Sequence, residues 1–243
     1  MRAHIVAALV ICWLVRSLPT IAASELPSHS PGEKALRFIA ALPMATIDAA
    51  LHSLRPEPIS GEQKQRALAM LPVEGVLVPT ADEVTKLEAL RRVLIYHKRE
   101  DVFEVKVVDL PEAAVALYSR SIVLASRPAL RLLSALEFQA IVAHEIGHEY
   151  FRERQGHLND ARARQELEFR CDAIAILTML ELDLDPSLVV SAALKMTRFN
   201  ERLGMRFHLE LYPTVPEREE FTRAILQLVC SRGLAASAAQ CRM

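Results

Sequence analysis

Val142-Ala-His-Glu-Ile-Gly-His-Glu149 decides how this chain is read, because His144 and His148 stand four residues apart with Glu145 between them. On a helix, positions four apart lie one turn above each other, so both imidazoles can face one metal ion while Glu145 points to the same mouth. That is the geometry of a zinc hydrolase. The motif works only on a rigid helix, and its flanks predict one. Ser134-Ala-Leu-Glu137 is a capping box, Phe138, Ile141 and Ile146 supply apolar surface to bury, and no proline intervenes before Gly156.

Hydrolytic zinc takes three protein ligands and leaves the fourth place for water. Beyond an arginine-rich stretch from Arg152 to Arg164, a second helical segment carries Glu168 and Asp172 one turn apart. One carboxylate can then bind metal while the other accepts the free ring N–H of a ligand histidine and sets its tautomer. The expected ligands are His144, His148 and Glu168, holding one Zn2+ per chain, with Asp172 behind them. Glu166 competes for the role, but the residue four positions on is Arg170, which cannot accept that hydrogen bond. The plainer reading of the same residues is a pair of surface histidines and a solvated helix carboxylate.

Together, Ile141-Val-Ala-His-Glu-Ile-Gly-His148 and Glu168-Phe-Arg-Cys-Asp-Ala173 resemble the gluzincin zinc metallopeptidase family that contains the heat-shock endopeptidase HtpX and the CAAX prenyl endopeptidases. The resemblance runs from about Ala116 to Arg218. Within it, Ser121-Ile-Val-Leu-Ala125 matches the strand that precedes the active-site helix in that family. Tyr212-Pro-Thr-Val-Pro-Glu-Arg218 looks like the family's His-Pro-x-x-x-x-Arg segment, with tyrosine where histidine is usual, and Cys171 stands where alanine is usual. The resemblance implies an edge strand beside the active-site helix that binds extended substrate by strand addition, placed here at Ala113 to Leu117 and centred on Ala114, Val115 and Ala116. It also implies a donor to the developing oxyanion, a role that Tyr212 can fill with its phenol and for which His208 is the rival. Arg218 is expected to brace that loop through an acidic neighbour.

The expected chemistry is peptide-bond hydrolysis by a zinc-activated water, with Glu145 as general base. Protein or peptide substrates are the implied partners. The alternative is a zinc scaffold that has lost turnover and serves a binding or chaperone-like role, which the Tyr212 substitution allows.

The rest of the sequence frames this site. The chain has 243 residues, 51% of them hydrophobic and only 7 glycines, enough for one sizeable core. A formal net charge of −1 gives no sign of nucleic-acid binding, and the arginines from Arg152 to Arg170 alternate with acids as a solvated face does. The expected fold class is α+β, and the resemblance implies a mainly helical zincin-like metallopeptidase domain with a small β-sheet beside the active-site helix. Capping boxes at Ser30–Glu33, Thr80–Glu83 and Thr214–Glu217 open helices, and Asp185-Pro186 opens one that Gly204 ends. Strand-like runs lie at Val73–Val78, Val102–Val108, Ala113–Leu117 and Ser121–Leu124.

The expected organisation is a signal peptide over 1–23, a helical region over 24–70, the metallopeptidase domain over 71–230 and a tail over 231–243. The signal reading rests on Arg2, the apolar run Ile5 to Val15 and the small residues before Ser24. It implies an exported protein without a stable membrane span once cleaved; a retained anchor is the minority reading. Cys171 reads as a small buried residue, while Cys230 and Cys241 can bridge in an oxidising compartment. His97 is expected to end a helix where a cation suits the dipole.

Overall fold

The computed structural model describes residues 30–42, 46–72, 75–152, 161–205 and 211–234. Its elements run α1 (Pro31–Ala40), α2 (Ile47–Leu54), α3 (Gly61–Met70), β1 (Val76–Leu77), α4 (Ala81–Ala89), α5 (Arg91–Tyr96), β2 (Glu104–Val108), β3 (Val115–Tyr118) and β4 (Ile122–Ser126). They continue through α6 (Arg127–Leu132), α7 (Ala135–Tyr150), α8 (Ala161–Glu181), α9 (Ser187–Arg202) and α10 (Val215–Ser231). This is an α+β fold, 65% helical with one small mixed sheet.

Local chemistry explains where the helices start. Ser134, Ser30, Thr80 and Thr214 each accept the N–H of the residue three on, whose glutamate reaches back to the cap N–H. Gly204 takes the left-handed backbone (φ 73°) that closes α9, a conformation costly for other residues. Helix α7 is the centre of the molecule: every residue from Glu137 to His144, and also Ile146, Gly147 and Glu149, is buried. Helix α8 packs along it and is continuously buried from Cys171 to Leu180. A stretch buried on every side has no solvent face, so α7 and the second half of α8 are interior, while Ala161 to Arg170 stays partly exposed.

The sheet order is β1-β2-β4-β3, with β2 and β4 parallel and the outer pairs antiparallel. One face, with Val107, Val115, Val123 and Ala125, joins the main helical core. The other, with Val108, Ile122 and Leu124, is covered by α3, whose sole buried residue is Ala67. Strand β3 is an edge. Ser126 donates its N–H to the Ala114 carbonyl (2.8 Å), which sets the alternation: Ala114, Ala116 and Tyr118 turn their backbone groups to β4, while Val115 and Leu117 turn theirs to the open side.

His97 corrects a sequence expectation. It does end a helix, but it is fully buried, with Nδ1 2.9 Å from the Tyr150 hydroxyl and Nε2 3.0 Å from Thr178 Oγ1. The Thr178 hydroxyl donates to the Ile174 carbonyl, so Nε2 must carry the proton and Nδ1 accepts from Tyr150. Burial, aided by Arg55 and Arg99, lowers its pKa to about 3, so the ring is neutral and no helix-end cation exists.

Among the described residues, no helix is long and apolar enough to cross a membrane. Cys171 is free, and Cys230 is disulfide-bonded. Residues 1–29, where the signal peptide was expected, the tail with Cys241, and His208 lie outside the described residues.

Candidate metal centre

Helices α7 and α8 bring the four key side chains together because nothing separates their backbones. A Cβ on Gly147 would stand 2.8 Å from Cys171 Cα, closer than packed carbons approach, so glycine is what lets α8 lie against the motif. Sequence reasoning passed over Gly147; its position one residue before His148 was the available signal.

Across that contact, His144 Nε2 lies 3.3 Å from Glu168 Oε2, and His148 Nε2 lies 3.7 Å from Glu168 Oε1. One carboxylate thus faces both imidazoles. On the far side of its ring, His144 Nδ1 donates to Asp172 Oδ1 at 2.8 Å, which turns Nε2 toward Glu168. The Arg218 guanidinium reaches both Asp172 oxygens and, at 3.4 Å, Glu168 Oε2. Glu166 points elsewhere and pairs with Arg170 at 3.3 Å.

The electrostatics follow from this crowding. Burial alone would depress His144, but hydrogen bonds to Asp172 and Glu168, reinforced by their charges, push it up to about 10. Burial would raise Glu168, yet the His144 hydrogen bond and the charges of His148, His144 and Arg218 hold it down at about 2. Glu145 is raised, chiefly by burial, and accepts the Leu117 backbone N–H at 3.2 Å. The Tyr212 phenol is pushed up by burial and then by the Glu168 and Glu145 carboxylates, so it stays a proton donor.

His144, His148 and Cys171 offer ligand atoms within 4.8 Å of one another and could hold a metal ion. Cys171 therefore sits nearer the centre than its reading as a small buried residue implied. Burial raises its thiol well above the ordinary value, followed by the charges of Glu168, Asp172 and Glu145.

A cavity of about 650 Å³ opens over this cluster, walled by His144, Glu145, His148 and Glu168, by the β3 edge, by Ile59 and α3, and by Tyr212. Val115 and Ala116 line it; Ala114 has both backbone groups engaged by Ser126. Arg164, expected on a solvated face, also lines it.

No protein-family model and no curated protein matches this chain.

Proposed function

We propose that the chain is a zinc-dependent endopeptidase whose ligands are His144, His148 and Glu168. The observation that carries this reading is the convergence of both Nε2 atoms on one carboxylate, at the floor of a cavity that Glu145 and an open strand edge also line. Two imidazoles and a carboxylate are a donor set that suits hydrolytic zinc. Cys171 is the lesser candidate for third ligand, since it does not line the cavity and Glu168 does.

When bound, zinc supplies Lewis acidity and a water whose pKa falls to roughly 7. The remaining work belongs to the protein. Asp172 holds the His144 tautomer, and Arg218 keeps Asp172 and Glu168 in place. Glu145, freed from the Leu117 N–H, takes the proton of the attacking water and passes it to the leaving amine. Val115 and Leu117 offer their outward backbone groups to an extended substrate, which adds to the sheet as a strand. Tyr212 donates to the carbonyl oxygen as it gains charge. The disulfide at Cys230 supports an exported protein that works in an oxidising compartment.

The test is metal analysis with casein and peptide cleavage, for wild type and Glu145→Gln, with and without a chelator. We expect about one zinc per chain in both proteins. Cleavage should fall by about a hundredfold or more in the variant. Near-normal cleavage by Glu145→Gln, or none by zinc-loaded wild type, refutes the reading.

A further inference from the structure

The residue immediately after the metal motif is a second buried carboxylate with a different set of partners. Glu149 has a fully buried side chain, one turn of α7 beyond Glu145, and borders the same cavity as the imidazoles. Its Oε2 accepts from Arg99 Nε at 3.0 Å, and its Oε1 accepts from Arg99 at 3.3 Å and from Arg120 at 3.0 Å. Each arginine then carries the link onward. Arg99 donates to the Pro56 carbonyl and Arg120 to the Glu57 carbonyl, both at 2.6 Å.

These contacts tie together three walls of the cavity. Glu149 belongs to the metal-binding helix, Arg120 to the turn that ends the β3 edge, and residues 56 and 57 to the segment that leads into α3. Helix α7 is anchored in the core, whereas the other two walls are lightly held. Helix α3 buries only Ala67, and β3 has a single strand neighbour. The β3–β4 turn is also strained: Ser119 and Arg120 both have left-handed backbones, at φ 47° and 61°. Such a conformation persists where its surroundings over-determine it, and the two acceptors on Arg120 do so here. The opposite end of the edge is pinned separately, by Asn200 on α9, whose amide bonds both backbone groups of Ala113 at 2.8 and 2.9 Å.

We propose that Glu149, acting through Arg120 and Arg99, is a positioning residue that fixes the distance between the substrate edge of β3, the α3 wall and the two imidazoles. What the edge carries rests on the peptidase reading; the positioning itself does not. The hydrogen bonds of the Glu149 carboxylate run to Arg99 and Arg120. Its effect reaches the reaction through the Leu117 backbone, whose N–H meets Glu145 and whose neighbours pair with β4.

The test uses Arg120→Ala, because Glu149→Gln would leave Arg99 buried without its counter-charge and endanger folding. Alanine keeps the Cβ, so turn strain is unchanged, and the Arg99–Glu149 pair survives. Amide exchange is read first, on the full chain without substrate. The amides of Ala116, Leu117 and Tyr118 should exchange at least about fivefold faster, while those of α7 and the melting temperature stay as in wild type. In peptide cleavage, KM should rise about tenfold with kcat changed by less than about twofold, zinc content should be unchanged, and Arg120→Lys should recover most of the loss. Unaltered exchange and KM overturn the proposal. So does an equal loss of protection throughout α7, which marks a merely structural pair. Faster β3 exchange in Arg120→Ala, together with a zinc-loaded wild type that cleaves nothing, refutes the peptidase reading and leaves the positioning role standing.

Discussion

Substituting Gly147 with alanine sets two effects against each other, and the structure says which prevails. Alanine is about 1 kcal/mol better than glycine inside a helix. The added methyl, however, would stand 2.8 Å from Cys171 Cα and 3.1 Å from its Cβ and carbonyl oxygen. Packed carbons settle at about 3.5–4.0 Å, so α7 and α8 must part by about 0.7–1.2 Å. Two of the three blocking atoms are backbone and cannot rotate away. Overpacking of this kind costs about 1–3 kcal/mol, so the net loss of stability is modest, at most about 2 kcal/mol.

The larger effect falls on the site. His148 adjoins Gly147 on α7 while Glu168 belongs to α8, so parting the helices opens the ligand set itself. Zinc affinity should fall about tenfold to a hundredfold, and turnover with saturating zinc about a hundredfold. The assay is competition titration against a chromophoric chelator, run beside urea denaturation. Unchanged zinc affinity together with a raised melting temperature would show that propensity wins and that close approach at Gly147 is not required.

Three further outcomes are expected. Glu168→Ala should lose most of the bound zinc and Cys171→Ala should keep it; the reverse, seen by metal analysis, would make the cysteine the third ligand. His97 has an ordinary pKa of 6.5 and a folded value of about 3. Between those values the unfolded chain holds a proton that the folded chain lacks, so stability falls as pH drops through 6.5, by about 2 kcal/mol at pH 5. His97→Gln should remove that component, and equal urea-midpoint shifts in both proteins would contradict it. Tyr212→Phe should lower kcat about a hundredfold at constant zinc content; intact turnover would remove the phenol from the mechanism.

The site was legible wherever its residues are related by short helical spacing. His144, Glu145 and His148, and then Glu168 with Asp172, are one-turn relations that a sequence displays directly. The sheet was legible from its apolar runs, and within Val73–Val78 the described residues form the strand Val76–Leu77. What stayed hidden depends on which elements meet. Glu149 looks like a solvated carboxylate until Arg99 and Arg120 are brought to it across 50 and 29 residues. His97 looked like a helix-end cation because the dipole is a local property, whereas its burial against α7 and α8 is not. Gly147 reads as a mild helix weakener until Cys171 is seen against it.

Helix α1 packs chiefly against α10, and Arg232 donates to the Ile39 carbonyl at 3.2 Å, so the first described helix completes its packing on the last. A chain synthesised from its amino terminus therefore leaves α1 without its main packing partner until residues 215–231 have emerged, although Phe38 can meet Phe151 earlier. Closing so long a loop comes late and is paid in chain entropy before any contact repays it. The metal helices α7 and α8 can meet much sooner, since only a short segment separates them. Vectorial folding would then bring His144, His148 and Glu168 together first and add Arg218, which braces Asp172 and Glu168 from α10, only as the core is sealed.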